Sequence, residues 1–238
     1  MLSKPTSLKA RNTGAEPPAV EHAAFDYIAP FALFICLLAI RRWFTPELFL
    51  SFRFVVITAV LAVFAPRVLP WRPRYFFSSI ALGVLVFGIW IGPDRIFGAG
   101  YREFWLFHNP VTGAAVSTLP ARVRGSAFFM TLRVIESVVL VPILEELFWR
   151  GWLMRWLIRA DFTKVPLGTY TPNSFWIVAV LFAAEHGPYW EVGFIAGIAY
   201  NWWATRTRNL ADCIVAHAVT NAVLAAYVLT FDQWQYWL

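Results

Sequence analysis

The chain has 238 residues, of which 59% are hydrophobic and only 14% charged, against about 25% charged residues in an ordinary soluble domain. So few charges exclude disordered, collagen-like and disulfide-framework proteins and leave a polytopic membrane protein as the leading class. The formal charge of +6 comes from basic residues scattered between apolar runs, which indicates membrane anchoring rather than nucleic-acid binding.

The N-terminal part of the chain contains a polar tail and three apolar runs. Residues 1–25 are predicted to form the tail, and residues 26–125 to hold three spans followed by an interfacial segment. The runs cover residues 27–40, 48–65 and 75–92. Each is near the roughly 20 residues that a helix needs to cross ~30 Å of hydrocarbon.

The C-terminal part, residues 126–230, is predicted to hold four more spans. The first contains Glu145 and Glu146, and we expect Pro142 to loosen or kink it just before these carboxylates. The others cover residues 173–186, 191–205 and 210–230, and an aromatic tail, 231–238, ends the chain. The predicted fold class is therefore all-α, a polytopic membrane bundle of about seven transmembrane helices.

The distribution of basic residues predicts the orientation of this bundle. With the N-terminus inside, the inner side receives roughly twice as many Lys and Arg residues as the outer side. We therefore expect a multi-pass protein of the inner (plasma) membrane with a cytoplasmic N-terminus. Gly193 and Gly197 form a GxxxG pattern, which predicts a face of close approach between two helices.

Ionisable groups inside the spans are the candidates for function, because one charge near mid-bilayer costs roughly 2.5–3.5 kcal/mol on insertion scales. Arg53 lies near a span end and is predicted to snorkel to the interface. Arg133 and Glu136 are three residues apart and are predicted to pair along one helix face.

A second set of polar residues has the composition of a hydrolytic site. Glu146 and Arg150 are spaced i,i+4 in the favourable order, which leaves Glu145 free for another role. His217 and Asn221 share a helix face at the same spacing. Together with His186, these groups can supply a general base, a proton carrier and hydrogen-bond donors, which is what amide hydrolysis requires.

Three motifs in this region resemble those of the CPBP (Abi) family, which includes the CAAX prenyl endopeptidases. They are the EExxxR pattern of residues 145–150, the FxxxH pattern of residues 182–186 and the HxxxN pattern of residues 217–221. Each motif alone is common, but the three in this order, each on its own apolar helix, are specific. The turn at residues 207–213 looks more like the bacterial branch found with exosortase sorting systems.

The resemblance implies a glutamate-dependent intramembrane endopeptidase that needs no catalytic metal or cofactor. By this resemblance Glu145 would activate the attacking water, and His186 would help to position it. His217 and Asn221 would bind the oxyanion, while Glu146 and Arg150 would hold the site together. The implied substrate is a membrane-associated protein or peptide cut near its C-terminus, with the lipid bilayer and a protein-sorting system as further partners.

Three alternatives remain open at the level of the sequence. Glutamate and two histidines are also zinc ligands, although no HExxH motif is present. Cys213 lies four residues before His217 and shares its helix face, so a cysteine protease is conceivable. A non-proteolytic scaffold or immunity-type protein of the same fold is the third alternative. It would keep its biological effect when the motif residues are replaced.

Overall fold

The computed structural model describes residues 20–69 and 71–237. Within these ranges the chain forms seven main helices, joined by turns and one-turn helices, and a single isolated bridge between Asn109 and Gly113 is its only β-structure. The main helices are α1 (Val20–Ile40), α2 (Pro46–Val68), α3 (Phe76–Phe97), α4 (Ala127–Trp156), α5 (Pro172–Ala184), α6 (Trp190–Thr207) and α7 (Leu210–Phe231).

The predicted all-α membrane bundle is confirmed. Among the described residues, five helices are long and apolar enough to cross a membrane: α1, α2, α3, α4 and α7. α5 is a shorter apolar helix of 13 residues, and α6 does not reach the same length and hydropathy. The two remaining predicted spans are thus helical, but they lie within the bundle as a shorter and a more polar helix.

Two predicted boundaries differ from the structure. Residues 1–19 of the predicted tail lie outside the described residues, and residues 20–25 already form the start of α1. α3 continues through Pro93 to Phe97, although the Gly92-Pro93 pair predicts an end there. The predicted aromatic tail includes a short helical turn, Trp234–Tyr236.

Local sequence signals determine where several helices begin. The Thr45 hydroxyl accepts a hydrogen bond from the Leu48 amide at the start of α2, and Thr171 caps α5 in the same way. Proline follows each threonine at the first helical position, where its missing N–H costs nothing. The Asn209 side chain caps α7 by accepting from the Ala211 amide.

Glycines allow two pairs of helices to approach closely. A Cβ on Gly83 of α3 would overlap the Ala216 carbonyl oxygen of α7, so no larger residue fits without movement. A Cβ on Gly193 would lie 3.2 Å from the His186 side chain, and one on Gly197 would lie 3.2 Å from Ala179 of α5. The GxxxG pattern of α6 therefore forms the predicted close-approach face, and α5 is its partner.

α4 departs from regular α-helical geometry on both sides of its paired glutamates. Two stretches are π-helical, Glu136–Leu140 and Leu147–Leu153. The first lies directly before Pro142, which cannot donate a backbone hydrogen bond, so the predicted irregularity takes the form of a wider helical turn. Such turns are frequent at functional sites because they redirect side chains and free backbone groups.

The polar segment between α3 and α4 covers the turn that joins α5 to α6. Arg102 donates to the Pro188 carbonyl oxygen at 2.7 Å, and the Trp190 indole donates to the Leu106 carbonyl oxygen at 3.0 Å. Trp105 in the same segment is 66% exposed. An exposed aromatic side chain beside a polar anchor fits the interfacial location that the sequence predicts.

Candidate active site

One cavity brings together the four side chains that the sequence assigns to catalysis. The cavity has a volume of about 150 Å³ and lies between α3, α4, α5, α6 and α7. Its lining includes Glu145, His186, His217 and Asn221. These residues come from three different parts of the bundle, so their convergence depends on how the helices pack.

Glu145 presents one carboxylate oxygen that the described protein groups leave without a hydrogen bond. The residue is only 7% exposed, and its Oε2 atom is buried. The nearest basic atom is Nε2 of His217, at 3.9 Å from Oε2, which is too long for a hydrogen bond. A buried carboxylate oxygen beside a cavity of this size is suited to hold a water molecule.

His186 is held with one ring nitrogen occupied and the other available. Its Nδ1 lies 2.6 Å from the Phe182 carbonyl oxygen, one turn earlier in the chain. Because a carbonyl oxygen only accepts, Nδ1 must carry the proton, and Nε2 of the neutral ring is then an acceptor. The ring packs edge-on against Trp90 at 5.1 Å and rests against Gly193 of α6.

His217 lies between the two glutamates of α4. Its Nδ1 is 3.1 Å from Glu146 Oε1, while its Nε2 faces Glu145 at the longer distance given above. Because a carboxylate oxygen only accepts, the proton of this hydrogen bond lies on Nδ1. The ring stacks on Tyr200 with centroids 5.0 Å apart, which restricts its orientation.

Arg150 is the centre of a buried hydrogen-bond network. Its Nη1 donates to Glu146 Oε1 at 2.9 Å, Nε donates to Asn201 Oδ1 at 2.9 Å, and Nη2 donates to the Gly197 carbonyl oxygen at 3.4 Å. The guanidinium also lies 4.6 Å from the centre of the Phe182 ring. The network joins α4 to α5 and α6 beneath the cavity.

Asn201 of α6 belongs to this network, although the sequence did not single it out. Besides accepting from Arg150, it donates to the Phe175 carbonyl oxygen of α5 at 2.8 Å. Its only sequence signal is an uncharged amide within a largely apolar helix. This signal does not distinguish a packing residue from a functional one.

Asn221 is positioned by the first π-helical turn of α4. Its Nδ2 donates to the Ser137 carbonyl oxygen at 2.8 Å. An amide nitrogen has two hydrogens, so one N–H of Asn221 remains for a group in the cavity. The irregular turn, rather than any motif spacing, supplies the carbonyl that orients this side chain.

Glu185 is a second residue that the motif assignment missed. Its Oε1 accepts a hydrogen bond from the Trp149 indole at 3.1 Å, and the residue directly precedes His186. It lines a neighbouring, larger cavity of about 560 Å³ together with Arg53 and Arg133. The sequence signal was present, because Glu185 is one of the few carboxylates inside an apolar run.

The prediction that Arg53 snorkels to the interface is wrong. The residue is buried and forms a bidentate ion pair with Glu136 of α4, with nitrogen–oxygen distances of 2.6 and 2.7 Å. The predicted Arg133–Glu136 pair is present but longer, at 3.7 Å. The Arg53–Glu136 pair joins α2 to α4. The spacing of residues along one helix cannot predict a contact of this kind.

The geometry bears on two of the alternative chemistries, a cysteine nucleophile and a zinc site. Cys213 is fully buried, its sulfur lies 3.9 Å from the Tyr200 carbonyl oxygen, and it is not part of the cavity lining. It therefore cannot reach a substrate placed beside Glu145. Within the described part of the chain, no group of three or more His, Cys, Asp or Glu residues is arranged to hold a metal ion.

The comparison with protein families agrees with the motifs. Residues 125–223 match the family described as type II CAAX prenyl endopeptidase Rce1-like, and this segment contains all three motifs. No curated protein and no solved structure matches the chain significantly. The exosortase-associated branch therefore stays a prediction. For the segment from residue 125 to residue 223, this match confirms the predicted resemblance to the CPBP (Abi) family of CAAX-type endopeptidases.

Proposed function

We propose that the protein is an intramembrane endopeptidase that hydrolyses a peptide bond near the C-terminus of a membrane-associated protein or peptide. The observation that carries this proposal is the convergence of Glu145, His186, His217 and Asn221 on one small cavity. The family to which the C-terminal segment belongs supports CAAX-type proteolysis in general. The proposed roles of these four residues extend that assignment.

The first step activates a water molecule. Oε2 of Glu145 accepts a hydrogen bond from one O–H of the water, and Nε2 of His186 accepts a hydrogen bond from the other O–H. The water oxygen then attacks the carbonyl carbon of the substrate, and Glu145 takes the proton. His186, whose Nδ1 is held by the Phe182 carbonyl oxygen, orients the water through Nε2.

The second step stabilises the negative charge that develops on the substrate oxygen. Nε2–H of the His217 imidazolium and the free N–H of Asn221 are the two donors. Glu146 supports the charged ring through Nδ1. When the tetrahedral intermediate collapses, Glu145 returns its proton to the leaving amine, and the C–N bond breaks.

Glu146 and Arg150 serve this site without touching the substrate. Both are essentially unexposed, and each is bonded to the other and to a second group. Their ion pair fixes the position of His217 relative to Glu145. We also propose that the N-terminus is cytoplasmic and the membrane is the inner (plasma) membrane, which reporter fusions at the two termini would test.

The test is a paired cleavage assay in proteoliposomes, with membrane-anchored peptides of diverse C-termini as substrates. Wild type is compared with Glu145→Gln, which keeps the shape of the side chain but removes its basicity. Loss of the general base is expected to slow cleavage by about 10²- to 10⁴-fold. Glu103→Gln is the matched control, because Glu103 is an exposed glutamate in the interfacial segment.

The outcomes separate the candidate functions. Chelator-resistant cleavage that is lost in Glu145→Gln and kept in Glu103→Gln supports the proposal. Cleavage that survives in Glu145→Gln contradicts it. Cleavage abolished by a chelator would indicate a metalloprotease instead. A biological effect that persists in the folded Glu145→Gln variant would favour the scaffold alternative.

A further inference from the structure

A second cavity lies next to the catalytic one and carries an excess of positive charge. Its volume is about 560 Å³, and α1, α2, α4 and the α5–α6 turn contribute to it. The apolar part of the lining includes Phe34, Leu38, Phe44, Phe49 and Leu50, and the charged part consists of Arg41, Arg42, Arg53, Arg133 and Glu185. Among the described residues, four arginines thus face a cavity whose only lining carboxylate is Glu185.

The two buried arginines of this cavity have to share one glutamate. Arg53 takes both oxygens of Glu136 through Nε and Nη2. Arg133 reaches the same carboxylate only at 3.7 Å and makes no hydrogen bond to any described residue, and its Nε atom is buried. Its side chain is 17% exposed. Arg133 is therefore a largely buried cation whose hydrogen-bonding capacity is unused.

An arrangement of this kind is unfavourable unless something else occupies the free donors. Burying a charged group without hydrogen bonds costs more than burying a neutral one, and arginine has five N–H donors to satisfy. Inside a membrane, charged residues of this kind typically face a cavity and mark a path or site for a charged ligand. An anion that enters the cavity would satisfy these donors.

The two cavities are adjacent along α4. Ser137, one turn after Arg133, lines the catalytic cavity and orients Asn221 through its carbonyl oxygen. The Arg133 guanidinium lies 5.7 Å from the ring of Trp237, which also lines the catalytic cavity. From the other side, Glu185 of the second cavity directly precedes His186 of the first.

We propose that Arg133, backed by the Arg53–Glu136 pair, binds the C-terminal carboxylate of the peptide substrate. This inference rests on the proposed function, because it assigns the anion to the molecule that is cut. A guanidinium binds a carboxylate through two parallel hydrogen bonds, and both the charge and the geometry of the unused donors fit this ligand. The apolar lining would then receive the side chains that precede the carboxylate.

The position of Arg133 also predicts where the substrate is cut. Arg133 and Glu145 are twelve residues apart on α4, which corresponds to about 18 Å along a helix at 1.5 Å per residue. An extended peptide covers that distance with about five residues. We therefore expect the scissile bond to lie about five residues before the free carboxylate.

The first experiment compares peptides with a free carboxylate and with a C-terminal amide, using wild type in proteoliposomes. Because a hydrogen bond to a charged group contributes about 1.5–3 kcal/mol, wild type should cleave the acid about ten- to a hundredfold better in kcat/KM. Arg133→Gln should cleave both peptides equally, at the rate of the amide. Arg133→Lys, which keeps the charge, should recover part of the preference.

Arg159→Gln is the matched control, because Arg159 is an exposed arginine in the loop after α4 and lies away from both cavities. It should keep the full preference for the acid. A wild type that cleaves acid and amide equally overturns the proposal without needing any variant. The proposal is also overturned if Arg133→Gln lowers kcat/KM for the acid and the amide peptide by the same factor, since that result indicates a purely structural role.

Two further arms separate the substrate carboxylate from other anions. A peptide series with three to eight residues after the scissile bond should show its highest kcat/KM near five. If the wild-type rate instead depends on anionic phospholipid, and Arg133→Gln removes that dependence while the acid preference remains, then the ligand is a lipid phosphate and the proposal is wrong.

A binding measurement distinguishes failure of this inference from failure of the proposed function. The Glu145→Gln protein, which should bind without cutting, is titrated with the acid and amide peptides. Tighter binding of the acid that disappears in Glu145→Gln/Arg133→Gln supports the carboxylate site even if wild type cleaves neither peptide. Equal binding of acid and amide overturns it, whatever the catalytic result.

Discussion

Two clusters of ionised side chains are buried on α4, and they differ in how fully their arginines are hydrogen-bonded. Arg150 has an acceptor for each of its three nitrogens, supplied by Glu146, Asn201 and Gly197. Arg133 has none among the described residues and shares its one counter-charge with Arg53. An arginine with every nitrogen hydrogen-bonded within the protein stabilises the scaffold, whereas an arginine without such bonds is available to a ligand.

The clusters also differ in which parts of the chain build them. The cluster around Arg150 uses α4, α6 and α7, all inside the segment that matches the family. The cluster around Arg133 needs Arg53 of α2, which lies outside that segment. The N-terminal helices therefore contribute a charged wall beside a site whose proposed catalytic side chains all come from the C-terminal part of the chain.

The largest expected effect is on stability, and it follows directly from this contrast. Arg150→Leu would leave Glu146 buried without its main counter-charge, which should lower the free energy of unfolding by about 3–5 kcal/mol. Arg133→Leu should lower it by less than about 1 kcal/mol, because no hydrogen bond is lost. Denaturant titration in detergent, followed by tryptophan fluorescence, measures both.

Equal destabilisation by the two substitutions would contradict the distinction between the fully hydrogen-bonded Arg150 and the unbonded Arg133. Removing both charges offers a further check. The double variant Arg150→Leu/Glu146→Leu should be more stable than Arg150→Leu alone, since the penalty comes from the unpaired carboxylate.

A smaller effect is expected where α6 supports the catalytic cavity rather than the ion pair. A methyl group at Gly193 would lie 3.2 Å from three atoms of His186, so Gly193→Ala should shift that ring by a few tenths of an ångström. Because catalysis is sensitive to such displacements, we expect kcat to fall by about tenfold with little loss of stability. Gly88→Ala is the control, because a Cβ added there would have no neighbouring atom within 4 Å.

Steady-state cleavage at saturating substrate in proteoliposomes gives kcat, and thermal unfolding gives the stability of the same samples. A Gly193→Ala protein with unchanged kcat would show that His186 has no positional role in the reaction.

The smallest effect is expected at Cys213, which is buried behind His217 but lies outside the cavity. Cys213→Ser should retain cleavage within about twofold, because no step of the mechanism uses the thiol. Labelling with a thiol reagent should likewise leave the activity intact. Loss of cleavage in a folded Cys213→Ser protein would revive the cysteine protease alternative.

The fold was predictable because long apolar runs in a chain with few charges have few alternatives. A membrane span must satisfy its own backbone hydrogen bonds, so a run of this length becomes a helix. The runs predicted at residues 173–186 and 210–230 became α5 and α7 with boundaries shifted by one or two residues. The extension of α3 beyond Pro93 was not predictable from the local signal, since packing overrode the Gly-Pro pair.

The order of residues is sufficient for the all-α membrane class, the three motifs and the i,i+4 pairing of Glu146 with Arg150, because these depend on composition and on spacing along one helix. The packing of the helices is needed to pair Arg53 with Glu136, to complete the Arg150 network with Asn201 and to bring Glu185 to the arginine-lined cavity. Each of these contacts joins different helices or lines a space between them. Their partners depend on how the helices cross, which no periodicity along the chain encodes.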